Sequence, residues 1–164
     1  MSNFIPTYNI QKLAFKLGAA TGYEHSVVVN ITEIAGHLGY SIFEAEFSSD
    51  TIAAYLVSNK QEKSIYVNLN DPEEVKRFEI AHSVGHIVLH YANFKGDFEE
   101  VDIRKTEYYK TREKQANIFA ASLLMPEDMT KEIWDTFRNV NDFARTFVIS
   151  KKAAIIRLDE LGLI

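Results

Sequence analysis

The alternation of apolar and polar positions divides the chain into a helical opening, a strand-rich middle and a mostly helical second half. Residues 8–21 place Ile10, Leu13, Ala14 and Leu17 at helical spacing, and Gly22 with the polar run Tyr23-Glu24-His25-Ser26 ends that helix. Asn30 offers a cap for a second helix, with Ile31, Ile34, Ala35 and Leu38 facing inward and Gly39 stopping it. Three strand-like runs follow at 40–47, 51–57 and 64–69, joined by Ser48-Ser49-Asp50 and by the polar stretch 59–63. In the last run Ile65, Val67 and Leu69 alternate with Tyr66 and Asn68, as in a half-buried antiparallel strand. The pattern predicts an α+β fold in which helices pack on a small three-stranded antiparallel sheet.

From residue 71 the period returns to that of a helix. Asp71 can cap it, Pro72 suits the first helical position, and Glu73 and Glu74 complement the positive end of the dipole. At 100° per residue, Lys76, Glu79, His82, Ser83, His86 and His90 share an arc of roughly 120°. The other positions from Phe78 to Tyr91 are apolar, so the helix is predicted to be buried around most of its circumference, with one polar stripe. Residues 92–110 are charged, carry Phe94, Phe98, Tyr108 and Tyr109, and read as a long loop, either functional or locally disordered. The next helix, 113–126, lines one face with Glu113, Ala116, Asn117, Ala120 and Leu124. Small residues there allow a neighbouring helix to approach closely. A glutamate at the end of such a seam needs a partner, which a metal would supply. The remainder, 127–164, reads as two or three short helices, the last capped by Ser150 and ended by Gly162. We therefore expect a core over 1–126 and a helical C-terminal segment over 127–164, helix-turn-helix-like in pattern and packed as part of the same unit.

Composition narrows the chemistry. At 164 residues, 46% hydrophobic, the chain can bury a real core. A net charge of −5 supplies no basic field for nucleic acid. The C-terminal stretch 137–164 holds five basic and three acidic residues, a balance of +2 that is too weak for a phosphate footprint. Direct nucleic-acid binding is accordingly not expected. With no cysteine, any metal must be held by His, Asp or Glu. No stretch reaches membrane-spanning length and the opening residues lack a leader pattern, which predicts a cytoplasmic protein without a membrane partner. His25 reads as a loop residue and His37 as solvent-facing.

His82 and His86 stand one helical turn apart, the i, i+4 geometry of the H-E-x-x-H zinc peptidases, but Ser83 occupies the place of the glutamate. On its own such a pair also fits the solvated face of an amphipathic helix. The two long segments together are more specific. R-F-E-I-A-H-S-V-G-H-I-V-L-H and E-K-Q-A-N-I-F-A-A-S-L-L-M-P resemble R-F-x-x-A-H-E-x-G-H-x-x-x-H and E-x-x-A-N-x-F-A-x-x-L-L-M-P of the ImmA/IrrE metallopeptidases. The closing residues 148–164 are also similar to that family.

The resemblance implies a zincin-like metal helix, Zn2+ as cofactor, and His82, His86 and Glu113 as its ligands. It implies a cytoplasmic peptidase of phages, mobile elements or stress systems that relieves repression by cleaving a cognate helix-turn-helix repressor. In such enzymes the motif glutamate is the general base, a contribution of about 10²–10⁴-fold. Ser83 is too short and too weakly basic to replace it. Either the chain is a peptidase with one residue exchanged, for which Ser83→Glu would restore cleavage, or it is a pseudopeptidase that binds and sequesters the repressor. Glu79 leans toward the helix N-terminus, away from the ion. His90 leans back toward His86, in an outer-shell or packing role. An extended substrate is expected to dock on a strand edge, with 51–57 or 64–69 as that edge.

Overall fold

The computed structural model of the protein describes residues 4–104 and 111–164. Along the chain come α1 (Thr7–Ala20), α2 (Ile31–His37), β1 (Ser41–Ala45), β2 (Ile52–Ser58), β3 (Lys63–Asn68) and α3 (Glu73–His86). The last turn of α3 widens into a π-helix over Ile87–Tyr91. Then follow β4 (Phe98–Ile103), α4 (Thr111–Leu124), α5 (Glu127–Phe137), α6 (Val140–Phe147) and α7 (Lys151–Glu160). The α+β class holds, with one correction to the sheet. Among the described residues it has four strands in the order β1-β3-β2-β4, and β1 runs parallel to β3 while the other two pairings are antiparallel. Thus β2 and β3 both lie inside the sheet, and the edges are β1 and β4. Neither 51–57 nor 64–69 offers a free edge, so the docking expectation for those two runs is overturned.

Register fixes what each sheet face carries. One row runs Ile42, Ile65, Leu56, Glu100 and the next Glu44, Val67, Ala54, Asp102. Leu56, Ala54, Ile65 and Val67 belong to the core, which continues through Ile80, Val84, Phe119 and Leu123 on α3 and α4. The apolar half of this face thus meets the helices as oil, and its β4 end meets them as two carboxylates. On the opposite face Phe43 stacks on Tyr66 with ring centroids 5.4 Å apart, and Tyr55 lies 5.9 Å from Tyr66.

β4 falls within the stretch expected to be a loop. Its alternation is inverted: Val101 and Ile103 are exposed and Asp102 is buried. Two contacts hold its end in place. The Arg104 side chain pairs with Asp71, and its backbone N–H donates to Thr51 O at 2.7 Å. Asp71 is therefore an ion-pair partner rather than a cap; Pro72 occupies the cap position of α3, with no side chain capping it. Tyr108 and Tyr109 lie outside the described residues.

α3 and α4 cross closely at Gly85, where an added Cβ would stand 3.1 Å from both Cα and O of Ala116. That approach carries the start of α4, and Glu113 with it, over the histidines. Leu13, expected inward on α1, is exposed, and the buried face is Ile10, Ala14 and Gly18 instead. Asn30 caps α2 by accepting from the Glu33 N–H, and Ser150 caps α7 by accepting from that of Ala153. Three helices follow Pro126, and their Trp134, Phe143, Phe147 and Leu158 join the same core. Buried Arg77 ties α3 to both ends of the chain, donating to Val29 O at 3.0 Å and Val148 O at 3.1 Å. Buried Arg157 donates to Met125 O at 3.1 Å.

Candidate metal centre

The polar stripe of α3 is not a solvated face. Ser83 and His86 are fully buried and His82 is 5% exposed, because α4 and β4 cover them. The His82 and His86 Nε2 atoms stand 3.0 Å apart. From α4, Glu113 places one carboxylate oxygen 3.2 Å from His82 Nε2 and the other 3.5 Å from His86 Nε2. From β4, Asp102 Oδ1 lies 3.4 Å from His82 Nε2 and 3.9 Å from His86 Nε2. All four donors fall within 4.8 Å of one another. Two imidazole nitrogens and two carboxylates at such range need positive charge between them. In the metal-free protein a proton on His82 supplies it. Burial opposes that proton, but the Asp102 and Glu113 carboxylates outweigh it and raise the His82 pKa well above the usual value. The two histidines in turn hold the Glu113 carboxyl far below its usual range.

The distances also fit a divalent ion. Tetrahedral zinc takes bonds of about 2.0–2.2 Å to histidine nitrogen and carboxylate oxygen, which sets ligand-to-ligand edges of about 3.3–3.6 Å. The five separations above bracket that range. The ligand types, two N and two O without sulfur, suit zinc and the harder first-row ions.

The far sides of the rings are organised to match. His82 Nδ1–H donates to Asn117 Oδ1 at 2.8 Å, which turns Nε2 toward the centre, where it would carry the proton in the metal-free protein and offer its lone pair to an ion. His86 Nδ1 meets His90 Nδ1 at 3.1 Å and Glu100 Oε2 at 3.3 Å, and His90 Nε2–H donates to Gln115 Oε1 at 3.0 Å. That chain requires His90 to accept at Nδ1, hence to be neutral. Burial, the largest influence on it, lowers its pKa to about 4. The π-helical turn is where His90 sits, and single π turns recur at functional sites.

Of the residues singled out from sequence, His82, His86 and Glu113 converge, Ser83 lies between the histidines in sequence with its hydroxyl buried and unpartnered, and His90 supports His86. Glu79 stays outside the four converging donors; burial raises its carboxyl to about 7. His25 and His37 are exposed. Sequence reasoning missed Asp102 and Glu100. Their signal was a period-two alternation in Phe98–Ile103, hidden because the polar residues are the inward ones.

A family model described as the IrrE N-terminal-like domain, Peptidase M78, matches residues 35–159. The chain belongs to this family. The match contains α3, β4 and α4, and so every residue of the cluster described above. The chain is also 25% identical over 135 residues to uncharacterized immunity region protein 2 of Bacillus phage phi105, covering 82% of this chain and 77% of that protein. A solved structure of a Mycobacterium tuberculosis transcriptional regulator superposes with a TM-score of 0.69 at 15% identity, which shows a shared fold. That match covers 96% of this chain and 48% of the regulator, so the chain spans about half its length. Among the described residues no helix is long and apolar enough to cross a membrane.

Proposed function

We propose that this Peptidase M78 chain is a zinc-binding scaffold of the cytoplasm that recognises a cognate helix-turn-helix repressor and relieves its repression, with hydrolysis impaired by Ser83. One observation carries the reading: His82, His86 and Glu113, the residues that correspond to the family's ligands, point their donor atoms at one place, with Ser83 where the base belongs. The relative from a phage immunity region supports a partner of the repressor class.

His82, His86 and Glu113 would hold the ion. Zinc in such a set acts as a Lewis acid that polarises a carbonyl and makes water a better nucleophile. The chain's own residues do the rest. Asn117 and His90 fix the two rings so that Nε2 faces the centre. Ser83 offers a hydroxyl that cannot hold the proton a glutamate would take, which removes about 10²–10⁴-fold of rate. Glu79 does not replace it, because its carboxyl lies outside the cluster and is half protonated near neutral pH. An extended partner would pair with β4, the edge strand that carries Asp102, rather than with either interior strand.

A second reading, sequestration without cleavage, is favoured by Ser83 itself, whose buried hydroxyl has no hydrogen-bond partner through which to pass a proton. The test mixes zinc-loaded protein with the repressor encoded beside its gene and follows intact masses and complex formation, with and without chelator. A slow, chelator-sensitive single cut supports the impaired peptidase. A stable complex with no cut supports sequestration. Neither complex nor cut overturns the repressor assignment.

A further inference from the structure

Hydrolytic zinc sites hold the ion with three protein ligands and leave one position open, whereas structural sites are closed by four. In this chain a fourth protein donor is already present. Asp102 is 8% exposed, and its Oδ1, 3.4 Å from His82 Nε2, is buried without a hydrogen-bond partner. A buried carboxylate oxygen is costly unless it is paired, and within ion-pair range of this one stand the two histidine Nε2 atoms, at 3.4 and 3.9 Å. Here the surroundings are two imidazole nitrogens and a second carboxylate, all turned to the same point.

Charge favours the same assignment. A divalent ion with two neutral imidazoles and Glu113 alone retains one positive charge in a largely buried position. Adding Asp102 makes the assembly neutral, the form that burial penalises least. The strand is also placed for it: Asp102 lies opposite Ala54 in the sheet, and the Arg104–Asp71 pair fixes the strand end two residues on.

We infer that Asp102 is the fourth protein ligand of the centre and occupies the position that a hydrolytic site leaves to solvent. The inference rests on the metal reading above and goes further, because it makes the site closed rather than merely short of a base. The metal then acts as a staple joining β4 to α3 and α4.

Cobalt(II) substitution tests this without any assay of activity. Native protein should take up one Co2+, show a visible spectrum that azide leaves unchanged, and protect the amides of 98–103 from exchange on loading. Asp102→Ala should bind the ion more than about 100-fold more weakly, beyond the roughly 10–100-fold cost of losing an outer partner, and its spectrum should respond to azide. Asp102→Asn, with circular dichroism of the metal-free forms, separates ligation from folding. If neither variant folds, the native spectrum alone decides. An azide response in the native protein as large as in Asp102→Ala would overturn the inference while leaving the metal reading intact. Failure of the native protein to take up cobalt would overturn both.

Discussion

Gly85→Ala probes the contact that brings the two halves of the centre together. The new Cβ would stand 3.1 Å from Ala116 Cα, 3.1 Å from Ala116 O and 3.2 Å from Phe119 Cβ. Carbon contacts are optimal at about 3.5–4.0 Å, so relief requires a shift of several tenths of an ångström. The obstructing atoms are mainly backbone, and the whole of α4 must move. Alanine gains about 1 kcal/mol of helix propensity over glycine. Overpacking of a close-packed seam costs about 1–3 kcal/mol, and immovable backbone puts this case toward the upper end. The net expectation is a loss of about 1–2 kcal/mol. With a urea slope of about 1–3 kcal/mol per molar, the unfolding midpoint of the metal-free protein should fall by about 0.3–2 M. Metal affinity should weaken as well, since α4 carries Glu113 away from the histidines. Urea unfolding by circular dichroism and a competitive zinc titration measure the two effects. A variant stabilised by about the propensity gain, with unchanged zinc affinity, would refute the claim that this contact sets the site.

Further outcomes follow from the same geometry. Asn117→Ala frees the His82 ring and should weaken zinc binding by about 10–100-fold with little change in metal-free stability; unchanged affinity would remove Asn117 from the site. In the metal-free protein the raised His82 pKa adds stability below its unfolded value near 6.5 that is lost as pH rises through the folded value. The raised Glu79 carboxyl likewise loses its contribution between pH 4.5 and about 7, and the depressed Glu113 loses its own only as pH falls below 4.5. Metal-free stability should therefore peak near pH 5 and decline toward alkaline pH, as urea midpoints across pH 4–9 would show, and a flat profile would contradict the pairings. Ser83→Glu alone should destabilise the protein by about 1–3 kcal/mol, because residue 83 is fully enclosed. Cleavage should rise by about 10²-fold or more only when Asp102→Ala accompanies it; rescue by Ser83→Glu alone, read by mass spectrometry, would show that the site is open.

The parts of the centre that were legible in the sequence are those whose chemistry follows helical spacing. His82 and His86 announce themselves by the i, i+4 interval, and Glu113 by standing at the end of a small-residue seam. Their convergence depends on the Gly85–Ala116 contact, and both residues lie within the two segments that carry the family resemblance. Asp102 was not legible because amphipathic reasoning assumes that apolar residues point inward. β4 reverses the rule, since its inner face lines a polar centre and its outer face carries Val101 and Ile103. The sheet order was hidden for a different reason. A hairpin between β2 and β3 is local, but the parallel pairing of β1 with β3 and the addition of β4 join runs separated by long intervals. Asp71 looked like a cap on local grounds, and a distant arginine at the end of β4 claimed it instead.

The central claim is that His82, His86 and Glu113 gather around one metal ion. Metal analysis of purified protein after zinc loading and dialysis tests it most directly, with native chain beside His82→Ala and Glu113→Ala. The account predicts one zinc per native chain and loss of the ion in both variants, whose folds circular dichroism should show intact. Full zinc occupancy in both variants, or none in the native protein, would contradict it.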